Sequence, residues 1–271
     1  YNTHKKDHLS AFSFAYCNVP VAPLRKEASH QSEQISQILF GEKLHILSPV
    51  QEGWVFISGQ LDDYCGWIKV SQIQPIDKKQ YIKAVKYLSA THQGVLIHEN
   101  GPIAIPLGSS LTGMKKNTLE LTAGEAVKFK GKKAILKFSG AGEERCRHTA
   151  LQFVGAPYLW GGRTHMGIDC SGLSQMVFKM MNIALRRDAW MQAEQGEMID
   201  FLQNARCGDL AFFDNAEGRI VHVGILLDSH TIIHATEKSG CVVIDKIDSN
   251  GIISTRHRTR THNLRLIRRY F

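Results

Sequence analysis

The sequence predicts an α+β domain that is preceded by two small β-barrels. Three observations lead to this prediction. Short β-rich stretches separated by glycines open the chain, a similar pattern follows them, and the last part has helical patterns ahead of a run of strands. Helical segments followed by consecutive strands are typical of α+β folds. The 271 residues, 43% of them hydrophobic, are sufficient to form substantial cores.

The first barrel is expected over residues 14–76. Residues 19–23 should form an edge or lead-in strand, because proline cannot donate a hydrogen bond to a sheet. Residues 32–39 fit either a short helix or an irregular loop. The remaining strands are short, are bounded by glycines, and are predicted at residues 43–47, 54–57 and 67–70. Strands of this length and spacing indicate a small barrel.

The second barrel is expected over residues 80–141, as a repeat of the first. Residues 40–46 resemble residues 123–129, and residues 57–59 resemble residues 138–140 at nearly the same offset. Similar segments at one offset indicate an internal repeat. A chance recurrence of β-strand patterns is the alternative explanation.

The α+β domain is expected over residues 143–271. A helix is predicted over residues 145–154, another directly after Cys170, and a shorter one over residues 188–195. Strands follow them and are predicted at residues 209–213, 221–227, 231–235, 242–245 and 264–268.

Cys170 is the first candidate functional residue. It follows a glycine-rich loop, and the apolar residues after it recur at spacings of three and four, which predicts a core-facing helix. Asp169 is a suitable N-cap for this helix. The positive end of a helix dipole favours a thiolate, so a nearby base would make Cys170 a nucleophile. A buried, unreactive cysteine is the alternative.

His222 and His234 are the candidates for that base, and a short turn sequence joins their strand patterns. If residues 227–229 form a three-residue loop, Leu226 pairs with His230, and His222 lies opposite His234 with Cβ atoms about 5 Å apart. One imidazole could then take the thiol proton while the other orients it. A two-residue loop would place the two side chains on opposite faces.

The composition argues against several other classes of protein. The net charge of +8 is dispersed, and no stretch combines aromatic residues with a basic helix face, so no nucleic acid partner is expected. The cysteines form no C-x-x-C pair, so neither a metal site nor another cofactor is expected. No apolar run reaches the ~18 residues of a membrane span. The chain begins at Tyr1 rather than Met, which leaves export open.

The candidate residues and the motifs around them resemble those of the NlpC family of bacterial cell-wall cysteine peptidases, which have a papain-like α+β fold. The resemblance covers residues 143–271. Its motifs are PYLWGG at 157–162, GIDCSGL at 167–173, RD at 187–188, GDLAFF at 208–213, HVGI at 222–225 and IHA at 233–235. The resemblance implies that Cys170 is the nucleophile, His222 the base and His234 the third polar residue.

The two β-rich regions resemble the bacterial SH3-like domains of one subgroup, the γ-D-glutamyl-L-diamino-acid peptidases. Residues 33–42, together with Tyr64 ahead of a Gly-Trp pair, carry this second resemblance. It implies hydrolysis of the bond between γ-D-glutamate and the diamino acid in peptidoglycan peptides that begin with free L-alanine. It also implies that the first SH3-like domain closes one end of the groove and excludes stem peptides attached to glycan.

The resemblance further implies a set of substrate-binding residues. They are Tyr158, Asp169, Ser171 and Asp188 along the alanyl-glutamyl subsites, with Glu33 and Tyr64 reaching in from the first barrel. Carboxylates and a tyrosine hydroxyl suit the recognition of a free ammonium group. Each has an alternative role: the aspartates as helix N-caps, the serine in local hydrogen bonds, the glutamate as a surface residue and the tyrosines in packing.

The sequence departs from the family pattern at two positions, Arg186 where proline is common and Ala189 where serine is common. These departures concern a subsite and not the chemistry. Two other functions stay open: a broader endopeptidase acting on intact peptidoglycan, and a wall-binding module with an inactive catalytic domain. A monomer is expected, and a bacterial envelope location is favoured over the cytoplasm.

Overall fold

The computed structural model describes residues 12–121, 124–136 and 142–271. The chain divides into two compact units, one before and one after residue 136. The candidate catalytic residues all belong to the second unit. Within the described ranges, no helix has the length and apolar character needed to span a bilayer.

The first unit begins with short antiparallel strands. Within the described residues they are β1 (Phe14–Cys17), β2 (Val21–Arg25), β3 (Gln34–Leu39), β4 (Lys43–Ile46), β5 (Trp54–Gly59), β6 (Cys65–Lys69) and β7 (Ile73–Ile76). They form one sheet in the order β3-β2-β6-β5-β4-β1-β7. Leu24, Val55 and Ile68 on different strands are fully buried in a common hydrophobic core, which holds the sheet together.

Two expectations for this region are wrong. Residues 34–39 form a strand rather than a helix or an irregular loop, because they pair with β2 and place Ile38 opposite Ala22. The expected edge strand lies inside the sheet as β2, between β3 and β6, and its pairing with β6 is between Arg25 and Trp67. The other predicted strands are confirmed as β4, β5 and β6, with small shifts at their ends.

The rest of the first unit has a short helix and further strands around a second core. In the described ranges these elements are α1 (Lys78–Ile82), β8 (Tyr87–Ser89), β9 (Gly94–His98), β10 (Gly101–Ile105), β11 (Thr118–Glu120), β12 (Ala126–Lys130) and β13 (Lys133–Ile135). The strands pair in the orders β10-β9-β12-β11 and β13-β8. Leu96, Val127 and Phe129 are buried in the second core. Residues 138–140 of the expected repeat lie outside the described residues, as does residue 123, so the repeated barrel stays a prediction.

The second unit packs helices against an antiparallel sheet. Its elements, within the described part of the chain, are α2 (Gly142–Leu151), β14 (Arg163–Thr164), β15 (Gly167–Ile168), α3 (Cys170–Met180), α4 (Ala189–Ala193), β16 (Glu197–Ile199), β17 (Leu210–Asp214), β18 (Ile220–Leu226), β19 (Thr231–Thr236), β20 (Cys241–Asp248), β21 (Gly251–Ile253) and β22 (Arg260–Arg269). The main sheet has the order β16-β22-β17-β18-β19-β20-β21, and β21 also pairs with β22. The predicted helices and strands are confirmed with shifted ends, and the strands β14, β15, β16 and β21 are additional.

The position of α3 explains how one helix can organise this unit. It packs against α2 on one side and against β18 and β19 on the other, and all of its residues are buried. A helix that is surrounded by protein holds its first residue in a fixed position. That first residue is Cys170, which therefore lies next to the strands that carry the two candidate histidines.

Candidate active site

The start of α3 is fixed by Asp169. Its Oδ1 accepts the backbone N–H of Gly172 at 2.7 Å, and its Oδ2 accepts that of Gly161 at 2.8 Å. A Cβ atom on Gly172 would lie 2.3 Å from the carbonyl oxygen of Gly162, so only glycine permits this close approach. The predicted helix start at Cys170, with Asp169 as N-cap, is confirmed.

The Cys170 thiol is buried, and its surroundings favour the protonated form. Burial raises the pKa of Cys170 to about 12, and the charge of Asp169 acts in the same direction. Backbone hydrogen bonds from Val223 and Ser171 and the charge of Arg187 oppose this shift in pKa without cancelling it. The sequence indicated that the helix N-terminus would favour a thiolate. This effect is not sufficient to produce one, and the thiol therefore needs a base.

The candidate bases lie on adjacent strands, His222 on β18 and His234 on β19. Ile225 pairs with Ile233, which places His234 opposite Gly224 rather than opposite His222. The predicted pairing is wrong because the connecting loop begins one residue later than expected. A register shift of two residues keeps both histidines on the same face of the sheet, so the expectation that they share a face is confirmed.

A line of hydrogen bonds starts at His222 and runs into the protein. Its Nε2 lies 2.8 Å from Nδ1 of His234, and Nε2 of His234 lies 3.2 Å from Oδ2 of Asp245. Asp245 also accepts two hydrogen bonds from Thr255 through Oδ1, from the backbone N–H at 2.7 Å and from Oγ1 at 2.8 Å. His222, His234 and Asp245 are each buried. This line fixes the ring of His222 and leaves Nδ1 as the nitrogen that can act as a base.

His222 is neutral in this environment. Burial lowers its pKa well below the ordinary value, and the neighbouring His262, His234 and Lys238 add to the effect. A neutral imidazole can accept a proton from a neutral thiol. The pair of Cys170 and His222 is therefore suited to base catalysis from an uncharged resting state.

His262 on β22 also lies at this site, although no sequence motif indicates it. Its ring stacks on that of His222, with centroids 4.1 Å apart and an angle of 19° between the planes. The ligand nitrogens of His222, His234 and His262 lie within 4.8 Å of one another, a spacing that a metal ion could bridge. However, Nε2 of His222 and Nδ1 of His234 already share a proton across 2.8 Å.

Asp169 and Ser171 belong to a buried polar network with Arg187. The guanidinium donates to both carboxylate oxygens of Asp169, at 3.1 Å and 2.7 Å, and to Oγ of Ser171 at 2.9 Å. Asp169 and Ser171 were both predicted to bind substrate. In the structure both make hydrogen bonds within the protein, which was the alternative role for each. Contact of either residue with substrate stays a prediction.

Tyr158 and Asp188 lie near the start of α3. Tyr158 pairs with Ile168, two residues before the candidate nucleophile Cys170. Burial raises the pKa of Tyr158, and the charges of Cys170, Asp169 and Glu237 act in the same direction. Asp188 is the N-cap residue of α4 by position, but its side chain makes no capping hydrogen bond. The capping alternative for Asp188 is therefore not supported. Glu237 is a further acidic residue near this site, and no sequence motif indicates it.

Glu33 and Tyr64 belong to the first unit. Glu33 lies just before β3 and forms an exposed ion pair with Lys26 at 3.6 Å. Tyr64 is half-buried and packs against the first core. Their predicted part in substrate binding stays a prediction.

The departure from the family pattern at Arg186 has a local explanation. The backbone N–H of Arg186 donates to Oε1 of Gln195 at 2.9 Å, a bond that proline could not make. Ala189, at the other departure, is buried at the start of α4.

Comparisons with known proteins agree with this geometry. Residues 155–261 match the model of the NlpC/P60 family, and residues 24–73 match that of the bacterial dipeptidyl-peptidase SH3 domain. The chain is 29% identical to the γ-D-glutamyl-L-lysine dipeptidyl-peptidase of Bacillus subtilis over 77% of its length and 74% of the relative. It is 25% identical to dipeptidyl-peptidase 6 of Lysinibacillus sphaericus, over 84% and 89% of the two chains.

A solved structure shows the same fold. The crystal structure of an NlpC/P60 family protein from Bacillus cereus matches 95% of this chain and 99% of its own, with a TM-score of 0.77 and 18% identity. The predicted combination of a papain-like α+β domain and an N-terminal SH3-like domain is confirmed. The chain therefore carries an NlpC/P60 cysteine-peptidase domain at residues 155–261, preceded by a bacterial dipeptidyl-peptidase SH3 domain at residues 24–73.

Proposed function

We propose that this peptidase hydrolyses the bond between γ-D-glutamate and an L-diamino acid in peptidoglycan peptides that begin with free L-alanine. The observation that carries the proposal is the hydrogen-bonded pair of His222 and His234, together with a buried Cys170 thiol that interacts with the backbone of Val223, the residue after His222. The relatives named dipeptidyl-peptidases support it, since similarity to them extends over most of the chain.

The chemistry begins with two neutral groups. Nδ1 of His222 takes the proton of the Cys170 thiol as the sulfur attacks the γ-glutamyl carbonyl. The backbone N–H of Cys170, at the positive end of α3, stabilises the resulting oxyanion. The His222 imidazolium then gives its proton to the departing amine, which leaves a thioester. Water, deprotonated by His222, hydrolyses the thioester and restores the thiol.

His234 orients the base throughout this cycle. Its Nδ1 lies 2.8 Å from Nε2 of His222, so rotation of the His222 ring would break a buried hydrogen bond. Such a bond is costly to leave unmade inside a protein. His234 thus has the role of the third polar residue in the site.

Recognition of the free amine is assigned to the acidic side of the site. Tyr158 and Asp188, with Asp169 and Ser171 behind them, are proposed to line the alanyl-glutamyl subsites. Asp169 and Ser171 bind Arg187 and fix the start of α3. We therefore expect them to support substrate binding by holding the subsite in shape, as well as by direct contact with the peptide.

The amine requirement can be tested with two peptides, L-Ala-γ-D-Glu-diaminopimelate and the same peptide acetylated on alanine. We expect acetylation to lower kcat/KM at least about 100-fold, because buried polar groups would be left without partners. Equal values of kcat/KM would instead indicate a broader endopeptidase.

A charge-removing variant assigns that requirement to one residue. Asp188→Asn should lower kcat/KM for the free peptide and reduce the difference between the two peptides. Asp200→Asn, which changes an exposed carboxylate of the same unit, is the matched control and should leave both values unchanged. An Asp188→Asn variant that still discriminates fully would remove Asp188 from the amine site.

A further inference from the structure

We infer that Asp245 is a positioning residue that sets the proton positions on both histidines, so that Nδ1 of His222 is unprotonated and available to Cys170. This inference rests on the proposed function, because it explains why His222 can act as the base. The geometry behind it is the hydrogen-bonded line of Asp245, His234 and His222.

The carboxylate of Asp245 defines the first link. An ionised carboxylate can only accept hydrogen bonds, so Nε2 of His234, 3.2 Å from Oδ2, must carry a proton. Burial acts to raise the pKa of Asp245, but its hydrogen bonds from His234 and Thr255 outweigh burial and lower it below the ordinary value. Asp245 therefore remains an acceptor at neutral pH.

The second link follows from the first. A neutral His234 with its proton on Nε2 has a lone pair on Nδ1, so Nδ1 accepts from Nε2 of His222. A neutral His222 with its proton on Nε2 then has a lone pair on Nδ1, which is the form required for a base. When His222 takes the thiol proton, the negative charge of Asp245 stabilises the imidazolium through His234.

Thr255 fixes the orientation of the side chain at position 245, and with it the direction in which the hydrogen bonds to the two histidines are donated. Its backbone N–H and its hydroxyl both donate to Oδ1 of Asp245, at 2.7 Å and 2.8 Å. In an Asp245→Asn variant, the amide oxygen would be held by these two donors, because an NH₂ group cannot accept from the backbone N–H. The NH₂ group would then face Nε2 of His234, donate to it and reverse the proton positions on both histidines.

Comparison of two variants separates this role from a structural one. We expect Asp245→Asn to lower kcat at least about 100-fold with little change in KM, since a catalytic histidine held in the wrong tautomer loses up to about 10⁴-fold. Asp245→Ala should lose less activity, because it imposes no proton position on His234. A residue that only filled space would give the opposite order, since asparagine has nearly the same shape as aspartate.

The matched control is Asp248→Asn, on the same strand, where the exposed carboxylate pairs with Arg260. It should leave kcat unchanged. Activity of Asp245→Asn equal to or above that of Asp245→Ala would overturn the inference, provided circular dichroism shows both variants folded. Loss of folding in both variants would leave the decision to a direct measurement on the histidine nitrogens.

Nitrogen-15 NMR of the full chain supplies that measurement. In the unaltered chain we expect His234 and His222 to carry their protons on Nε2. Protons on Nδ1 of either residue would contradict the inference. The spectra need no substrate, so failure of the unaltered chain to cleave the proposed peptide would count against the proposed function and not against the proton positions.

Discussion

Arg187 and Asp169 form a two-point ion pair that is almost completely buried, with their side chains only 1% and 6% exposed. The pair lies directly under the start of α3, where Asp169 also caps the helix that begins with Cys170. An ion pair in this position connects the stability of the domain to the placement of the nucleophile.

Removal of the positive partner should destabilise the peptidase domain. We predict that Arg187→Met lowers the free energy of unfolding by about 3–5 kcal/mol, because it leaves the carboxylate of Asp169 buried without its counter-charge. Urea denaturation measures this change. Arg265→Met, which removes the exposed arginine from a 3.8 Å pair with Asp214, is the control and should change the unfolding midpoint little. Similar losses in the two variants would contradict this account of the buried pair.

The reactivity of Cys170 should follow its raised pKa. Iodoacetamide reacts with the thiolate, so we predict that alkylation of Cys170 without substrate keeps increasing between about pH 7 and pH 10. The sign follows from the pKa of about 12, since the thiolate fraction rises with pH throughout that range. Peptide mass spectrometry distinguishes Cys170 from the exposed Cys65. A plateau that starts below neutral pH would show a preformed thiolate and refute the neutral pair.

The stacking of His262 on His222 should contribute to catalysis through the orientation of the base. We predict that His262→Ala lowers kcat about two- to tenfold, in line with the ~0.5–1.5 kcal/mol of an aromatic pair. His262→Phe retains a stacking ring and should retain more activity. Steady-state kinetics on the proposed peptide provides the comparison. If the alanine variant is as active as the phenylalanine variant, stacking does not orient His222.

The structure also shows which parts of the site could be predicted from the sequence. The motif around Cys170 was sufficient for the helix start and its cap, because both depend on neighbouring residues. The shared face of His222 and His234 followed from the two-residue period of strands, although their exact register did not. The loop between β18 and β19 has the expected three residues but begins one residue later, which changes the strand register by two. A change of two residues leaves both histidines on the same face of the sheet.

Asp245 and His262 could not be predicted in the same way. Their positions depend on the pairing of β20 with β19 and of β22 with β21, and one sequence contains no signal for such long-range registers. The strand β3 was missed for another reason. Its apolar residues Ile35, Ile38 and Leu39 have helical spacing, but pairing with β2 outweighs that local preference.

The most direct test of the central claim is release of the free diamino acid from L-Ala-γ-D-Glu-diaminopimelate by the unaltered chain and by Cys170→Ala. The account predicts that the unaltered chain releases diaminopimelate and the dipeptide L-Ala-γ-D-Glu in equal amounts. Cys170→Ala, folded by circular dichroism, should release neither. Continued release by Cys170→Ala, or cleavage by the unaltered chain at a different bond, would contradict it.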